Sequence, residues 1–292
     1  MRRKWKIGLV LAVVALAFGG IWLWRSQEPA YEGKRLGEWL DEGMKLATTP
    51  HVTSQAVERV VKAVQAIGTN TIPFLLRDME RKEDPHWLWS VKTRAHKMKL
   101  VDETHYWNWR LNRSVWGFQV LGTNGAPALE RLLALRDGES LASGSAARAL
   151  GALGPFAIPE LEKRLHSTNF EARRRAAGTL AYFGPAAESA IPTLLALLDD
   201  TNSSVREKVV GALIGINRQP ERLVPLFRGL LGDSNVIIRV YAAGGLGQFG
   251  LSAKEAVPDL IRATNDPFPG VVSSARSALE QIESESSKAA SR

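Results

Sequence analysis

Histidines, tryptophans and basic residues crowd one short stretch, EDPHWLWSVKTRAHKMKLVDETHYWNWR, residues 83–110. His86, His96 and His105 lie ten and nine residues apart. That spacing does not set two imidazoles on one helical face for shared metal ligation, although a folded insertion could gather them. Trp87, Trp89, Trp107, Trp109 and Trp116 place five of the nine tryptophans within 30 residues. Tyr106, Lys92, Arg94, Lys97 and Lys99 interleave with them. Aromatic and arginine enrichment is the composition of an interface hot spot, and also of a basic surface that faces lipid. The plainer alternative is that these rings pack the segment onto its neighbours, since tryptophan is highly buried on average.

Other candidate chemistry thins out on inspection. Gly245, Gly247 and Gly250 spell GxGxxG, but that motif cradles phosphates only between a strand and a helix. Here it falls at the end of a helical pattern, which makes it structural. Gly138-Glu-Ser140-Leu-Ala142 lacks the second glycine of a nucleophile elbow. The chain has no cysteine, which removes disulfides, thiolate metal sites and cysteine nucleophiles. No catalytic residue, cofactor or small-molecule substrate is assigned, and the chain is read as a non-enzyme.

The elements that would position these residues are set by a repeat. Pro127, Pro159, Pro192, Pro225 and Pro258 are spaced 32, 33, 33 and 33 residues apart, a period that marks one small unit stacked on itself. Each unit shows an apolar helix, a turn at Gly or Asn, a proline, then a second apolar helix. Leu180, Leu213, Leu246 and Leu279 share one position of the first helix, with Phe183, Ile216, Phe249 and Ile282 three residues on, forming one buried face. Gly178, Gly211, Gly244 and Ser277 recur as well. Glycine costs about 1 kcal/mol inside a helix, so its return predicts a close approach between neighbouring first helices. The prolines fit the first turn of the second helix. Leucine or phenylalanine two and six residues after each predicts the second helix's buried stripe, from Leu129/Leu133 to Leu260/Thr264. Asp200, Asp233 and Asp266 close three units before polar turns suited to the next N-cap.

With RRAAGTLAYFGPAAESAIPTLLALLDD as the best-formed unit, the chain resembles HEAT repeats of the short bacterial, phycobilisome-lyase-like type over roughly residues 52–282. The resemblance implies an all-α fold: an α-solenoid of about six helical hairpins wound as a right-handed superhelix. It says little of function. HEAT-type deoxyhypusine hydroxylases bind iron through His-Glu pairs, and no histidine here is followed by glutamate. Phycobilin lyases and HEAT-like DNA glycosylases share the architecture. The first need a pigment-handling context and the second a basic groove, and the chain shows neither. An enzyme or enzyme accessory of the lyase or hydroxylase kind is the alternative reading.

The pattern breaks in three places. Pro73 to Pro127 is 54 residues, one period plus an insertion near 81–110. Residues 31–46 place Leu36, Trp39, Leu40 and Met44 on one face, as an N-terminal capping helix would, within a segment 26–51. The last unit stops near Ile282, and 284–292 is polar enough to be read as a disordered tail. The repeat domain is thus expected over 52–283.

Residues 7–24, IGLVLAVVALAFGGIWLW, carry no charge. Eighteen helical residues span about 27 Å, close to a bilayer core. Four basic residues precede the run and Trp5, Trp22 and Trp24 flank it, so residues 1–25 read as a transmembrane signal-anchor contacting the lipid bilayer. The N-terminus is inside and the repeats are outside the cytoplasmic membrane. A cleaved signal peptide is the rival reading, with Ala15-Leu16-Ala17 as its site. The net charge of +8 invites a nucleic-acid reading, but residues 1–25 hold five basic and no acidic residues, leaving 33 against 30 elsewhere. That balance argues against nucleic acid.

The expected function is a membrane-anchored scaffold for a protein or peptide partner. One candidate surface is the insertion, with Trp87, Trp89, Arg94, Tyr106, Trp107 and Trp109; used alone on lipid, it would make a membrane-surface module. The other is the row one and four residues after each proline. It carries Arg131 and Lys163 at one end and Arg262 at the other, with Leu226, Ala196 and Gly229 between.

Overall fold

The repeats begin on Asx turns. The side chains of Asn169, Asn202 and Asn235 accept from the backbone N–H of Glu171, Ser204 and Ile237 at 2.8, 2.9 and 2.8 Å, each satisfying a donor that a helix start leaves orphaned. Asp200 and Asp233 hold the last two of these turns, and Asp266 an equivalent one before the helix that starts at Pro269, accepting from the N–H two residues on at 2.9, 2.7 and 2.8 Å. At the other end Gly184, Asn217 and Gly250 take positive φ of 54, 48 and 51°. These are the Gly or Asn turns expected from the sequence. Caps and turns thus punctuate the chain every 33 residues.

The computed structural model describes residues 28–49, 53–80, 106–138 and 140–290. The anchor at 7–24, the insertion residues Trp87, Trp89 and Arg94, and the last two residues of the tail lie outside them. Contacts divide the chain into two units, through Ala128 and from Leu129 onward.

In the first unit a two-residue antiparallel ribbon, β1 (Ala30–Tyr31) and β2 (Lys34–Arg35), leads into α1 (Leu36–Thr48). Then come α2 (Ser54–Ile67), α3 (Ile72–Glu80) and α4 (Tyr106–Leu121). Helix α1 packs on α2 and α4, and α3 on α4. Leu36, Trp39, Leu40, Val64, Leu75 and Phe118 fill the core. Met44 is half-buried on the same face of α1. Lys34 and Arg59 stand over the Trp39 ring at 4.1 and 5.4 Å.

In the second unit α5 (Leu129–Asp137), α6 (Ala142–Leu153), α7 (Ile158–Leu165), α8 (Phe170–Leu180), α9 (Ile191–Ala196) and α10 (Ser203–Ile216) alternate. They are followed by α11 (Pro220–Leu230), α12 (Val236–Gln248), α13 (Val257–Ala263) and α14 (Pro269–Ala290). The first helices α6, α8, α10, α12 and α14 pack one on the next, and each second helix packs on the first helix that follows it. Leu180, Leu213, Leu246, Phe183, Ile216, Phe249 and Ile282 are buried as their spacing requires, whereas Leu279 is half-buried. The stretch Phe170–Asp199 has the length and hydropathy of a membrane span. It is two helices of one repeat, broken where Gly184 and Ala187 leave helical φ/ψ.

Four details differ from the sequence expectation. Nothing lies within 4 Å of a side chain added at Gly211 or Gly244, and at Gly178 the nearest atom is Lys208 Cδ at 3.4 Å. The close approaches fall instead at Gly151, Gly215 and Gly247. There a Cβ would meet Tyr182 O at 2.7 Å, Ala181 O at 2.8 Å and Ala278 Cα at 2.9 Å. Pro225 lies inside α11, which starts at Pro220 because Asn217 and Gln219, both left-handed, turn the chain early. The buried stripe of the second helices holds two residues after the proline, at Leu161, Leu194, Phe227 and Leu260. Six residues after, it fails at Leu198, Leu231 and Thr264, because α9, α11 and α13 have ended by then. Finally, α14 runs to Ala290, so the expected disordered tail is helical through that residue. Glu285 anchors it by accepting from Leu251 N at 3.0 Å.

Candidate functional site

One position of the second helices faces solvent in every repeat of the second unit. Arg131, Lys163, Ala196, Gly229 and Arg262 are all exposed, Lys163 by 76 % and Arg262 by 73 % of their side chains. Helix period explains it: the residue two after Pro159, Pro192, Pro225 and Pro258 is buried, and Leu129 after Pro127 half-buried, so the residue four after stands about 200° away. Between the charged ends the row is small and apolar. Leu226 is half-buried beside Gly229, and Ile261 is 53 % exposed.

Charges at the ends are held in place. Lys163 donates to Glu160 at 3.1 Å, and Arg164 to the same carboxylate at 2.5 Å; these bonds, Lys163 first, hold Glu160 below the usual carboxylate range. Asp259 accepts from Arg228 Nε at 2.5 Å and also from Arg262. Beside Gly229 a depression of about 390 Å³ opens between α11 and α13, lined by Gly232, Asp259, Arg262, Ala263 and Asn265. A bare glycine floor with a charged wall suits an extended backbone carrying polar side chains.

In the first unit, Tyr106 and Trp107 open α4. Trp109 is half-buried and its indole N–H donates to Asp41 at 3.0 Å. Arg113, one turn on, reaches Asp41 at 2.9 Å and also pairs with Asp78. Arg110 donates to the Asp78 carbonyl at 2.8 Å. Burial alone would lower the Arg113 pKa; the two carboxylates outweigh it and raise the guanidinium above its ordinary value. Trp109 is therefore tied into a structural ion-pair cluster joining α1, α3 and α4. Residues 106–110, expected in the insertion, belong to the α4 helix.

An arginine ladder on the first helices accompanies the aspartates. Arg173 grips Asp200 at 2.6 and 3.1 Å and donates back to Ser167 O at 2.8 Å. Arg239 grips Asp266 at 2.8 and 3.1 Å and donates back to Asp233 O at 2.9 Å. Arg206 donates to Asp200 O at 2.8 Å. The arginine bonds depress the carboxyl pKa of Asp200 and of Asp266. These arginines share the 33-residue period, which was the signal available for them. Among the described residues no group of three or more His, Asp and Glu side chains is arranged to hold a metal ion.

Residues 158–236 match the HEAT repeats family model, and residues 238–266 match the PBS lyase HEAT-like repeat. The described residues are, apart from the short ribbon, all-α, and the HEAT matches fall within the second unit. Among solved structures it is similar to an engineered protein at 20 % identity, over 84 % of this chain and 96 % of that one, with a TM-score of 0.40. It is similar to human deoxyhypusine hydroxylase in complex with glycerol at 18 % identity, over 85 % and 97 % of the two chains, with a TM-score of 0.36. It is also similar to the CpcE–CpcF complex of phycocyanin lyase from Nostoc sp. PCC7120 at 18 % identity, over 88 % and 97 %, with a TM-score of 0.37. No curated protein sequence matches the chain.

Proposed function

We propose that the protein is a membrane-anchored HEAT-repeat scaffold that binds an extended peptide or a protein segment outside the cytoplasmic membrane, without catalysis of its own. The observation that carries the binding reading is the exposed row on the second helices, Arg131, Lys163, Ala196, Gly229 and Arg262. Its centre offers backbone and small side chains, and its ends offer paired cations and carboxylates. The uncharged run 7–24, with basic residues before it, supports the anchor and its orientation.

Selection from a displayed peptide library tests the reading. Ala196→Arg and Gly229→Arg fill the centre of the row; position 229 has open space for a side chain, so the fold tolerates it. Peptides enriched on the wild-type chain should be lost on both variants. Equal enrichment on the filled variants would place the binding surface elsewhere. Protease access from the outer face of intact cells checks the topology, and full protection of the repeats would reverse it.

A further inference from the structure

Cations gather along α5, α8 and α10 of the second unit, and two of them, Arg136 and Arg175, also bond between neighbouring helices. Arg136, at the end of α5, donates to Thr179 Oγ1 at 2.8 Å, Ser143 Oγ at 2.9 Å and Arg175 O at 3.0 Å. Arg175 returns the contact, donating to the carbonyls of Arg136 at 3.2 Å and Gly138 at 2.8 Å and so capping α5. Arg174 and Arg175 share the Glu171 carboxylate at 2.5–2.8 Å. From α10, Lys208 leans over Gly178. Its Cδ lies 3.4 Å, and an Arg136 terminal nitrogen 3.7 Å, from where a Cβ at 178 would sit.

Two cations, Arg136 and Lys208, therefore flank one helical glycine, and Arg174 and Arg175 stand one turn before it on the same helix. Glu171 is the one carboxylate paired with any of them among the described residues, and Lys208 has no ion-pair partner there. Of the nearby acids, Asp137 faces Arg164 at 3.4 Å and Glu207 accepts from the Asn235 amide at 2.8 Å. Burial, then the neighbouring Arg175 and Arg174 charges, push the Arg136 pKa down, as expected of an under-neutralised cluster. Tyr182, 52 % exposed, stands four residues beyond Gly178. Packing gives no reason for glycine at 178. Glycine there leaves room for the Lys208 and Arg136 side chains to lie over the helix.

We propose that Arg136, Arg174 and Lys208 around Gly178 form a docking surface for an acidic protein segment, a run of Asp and Glu laid across α8 and α10. The cations sit on three helices rather than converging on one point, which suits successive carboxylates better than a single small anion. Outside residues 1–25 the chain holds 33 basic against 30 acidic residues, a balance that favours a short acidic segment over a nucleic-acid backbone. Of its members only Arg136 shares a helix, α5, with the second-helix row; Arg174 and Lys208 lie on the first helices α8 and α10, so the two surfaces can be tested apart.

Fluorescence anisotropy with a labelled Asp/Glu-rich peptide and the full chain in zwitterionic micelles is the test, with a Gln/Ser-rich peptide as control. The acidic peptide should bind at low salt and weaken as salt rises. Arg174→Gln with Lys208→Gln should weaken it roughly tenfold, the loss of two partly exposed ion pairs. Gly178→Glu, which seats a carboxylate beside Lys208 and Arg136 without crowding the backbone, should do the same with helicity unchanged by circular dichroism. Gly229→Arg should leave it unaltered. Absence of low-salt binding, equal binding to the control peptide, or wild-type affinity in both patch variants would overturn the proposal. So would binding to phosphatidylserine vesicles, lost in those variants, with no binding to the peptide.

Discussion

Two glycines four residues apart on α10 should respond oppositely to the same added methyl. At Gly211 an alanine Cβ meets nothing within 4 Å. Only helix propensity changes there, and Gly211→Ala should range from neutral to about 1 kcal/mol stabilising. At Gly215 the Cβ would sit 2.8 Å from Ala181 O and 3.1 Å from Ala181 Cα and Cβ. Those atoms are backbone and the base of a side chain, so no rotamer change relieves the clash and the chain segments must separate. Overpacking of that kind costs about 1–3 kcal/mol, offset by the same propensity gain of about 1 kcal/mol. The two variants should therefore differ by about 1–3 kcal/mol. With a urea m-value of about 2 kcal/mol/M, the midpoints separate by roughly 0.5–1.5 M. Urea titration followed by helical circular dichroism reads this directly, and Gly244→Ala against Gly151→Ala repeats the comparison on other helices. If Gly211→Ala destabilises as much as Gly215→Ala, the assignment of close approach to the second glycine is wrong.

Removing the Asp78 carboxylate should be costly. Asp78→Ala leaves the buried guanidiniums of Arg110 and Arg113 without their shared carboxylate, and breaking such a cluster costs about 3–5 kcal/mol; a loss below about 1 kcal/mol in the same titration would show that the cluster is solvated. Acid should weaken the second unit through carboxylates whose folded pKa is depressed. Glu171, held by Arg174 and Arg175 at about 2 against an ordinary 4.5, contributes stability that is present above pH 4.5 and lost as pH falls towards 2. Asp200 acts in the same direction through Arg173. Glu171→Gln with Asp200→Asn should flatten the fall of urea midpoint over that window, and an unchanged slope would refute the linkage.

The features that repeat were readable from the residues. Buried Leu180, Leu213 and Leu246, the Gly/Asn turns and the exposure of position four after each proline all follow from period and helical phase. Contacts between neighbouring repeats were not. Gly178 and Gly215 are both helical glycines, and only the rotation of one helix against the next decides which of them touches. The ladder of Arg173, Arg206 and Arg239 shares the period of the aspartates it holds, so its role was open to the same reasoning. The Asp41–Asp78–Arg113 cluster was not, because its members stand 37 and 35 residues apart with no pattern linking them. Where α11 starts was hidden as well, since Pro220 and Pro225 are both acceptable at a helix start.

The Asx turns have a consequence for how such a chain can change length. The turns at 200–202 and 233–235 are each closed by their own Asp and Asn, and Arg173 and Arg239 show the side-chain clamp on either side. Nothing in that joint depends on which repeat comes next. A segment such as 203–235 can therefore be excised or duplicated with the same joint re-forming at the seam, whereas a change of a few residues would misalign every clamp beyond it. The exposed row would then grow or shrink by one residue per step, making reach a quantity counted in whole modules.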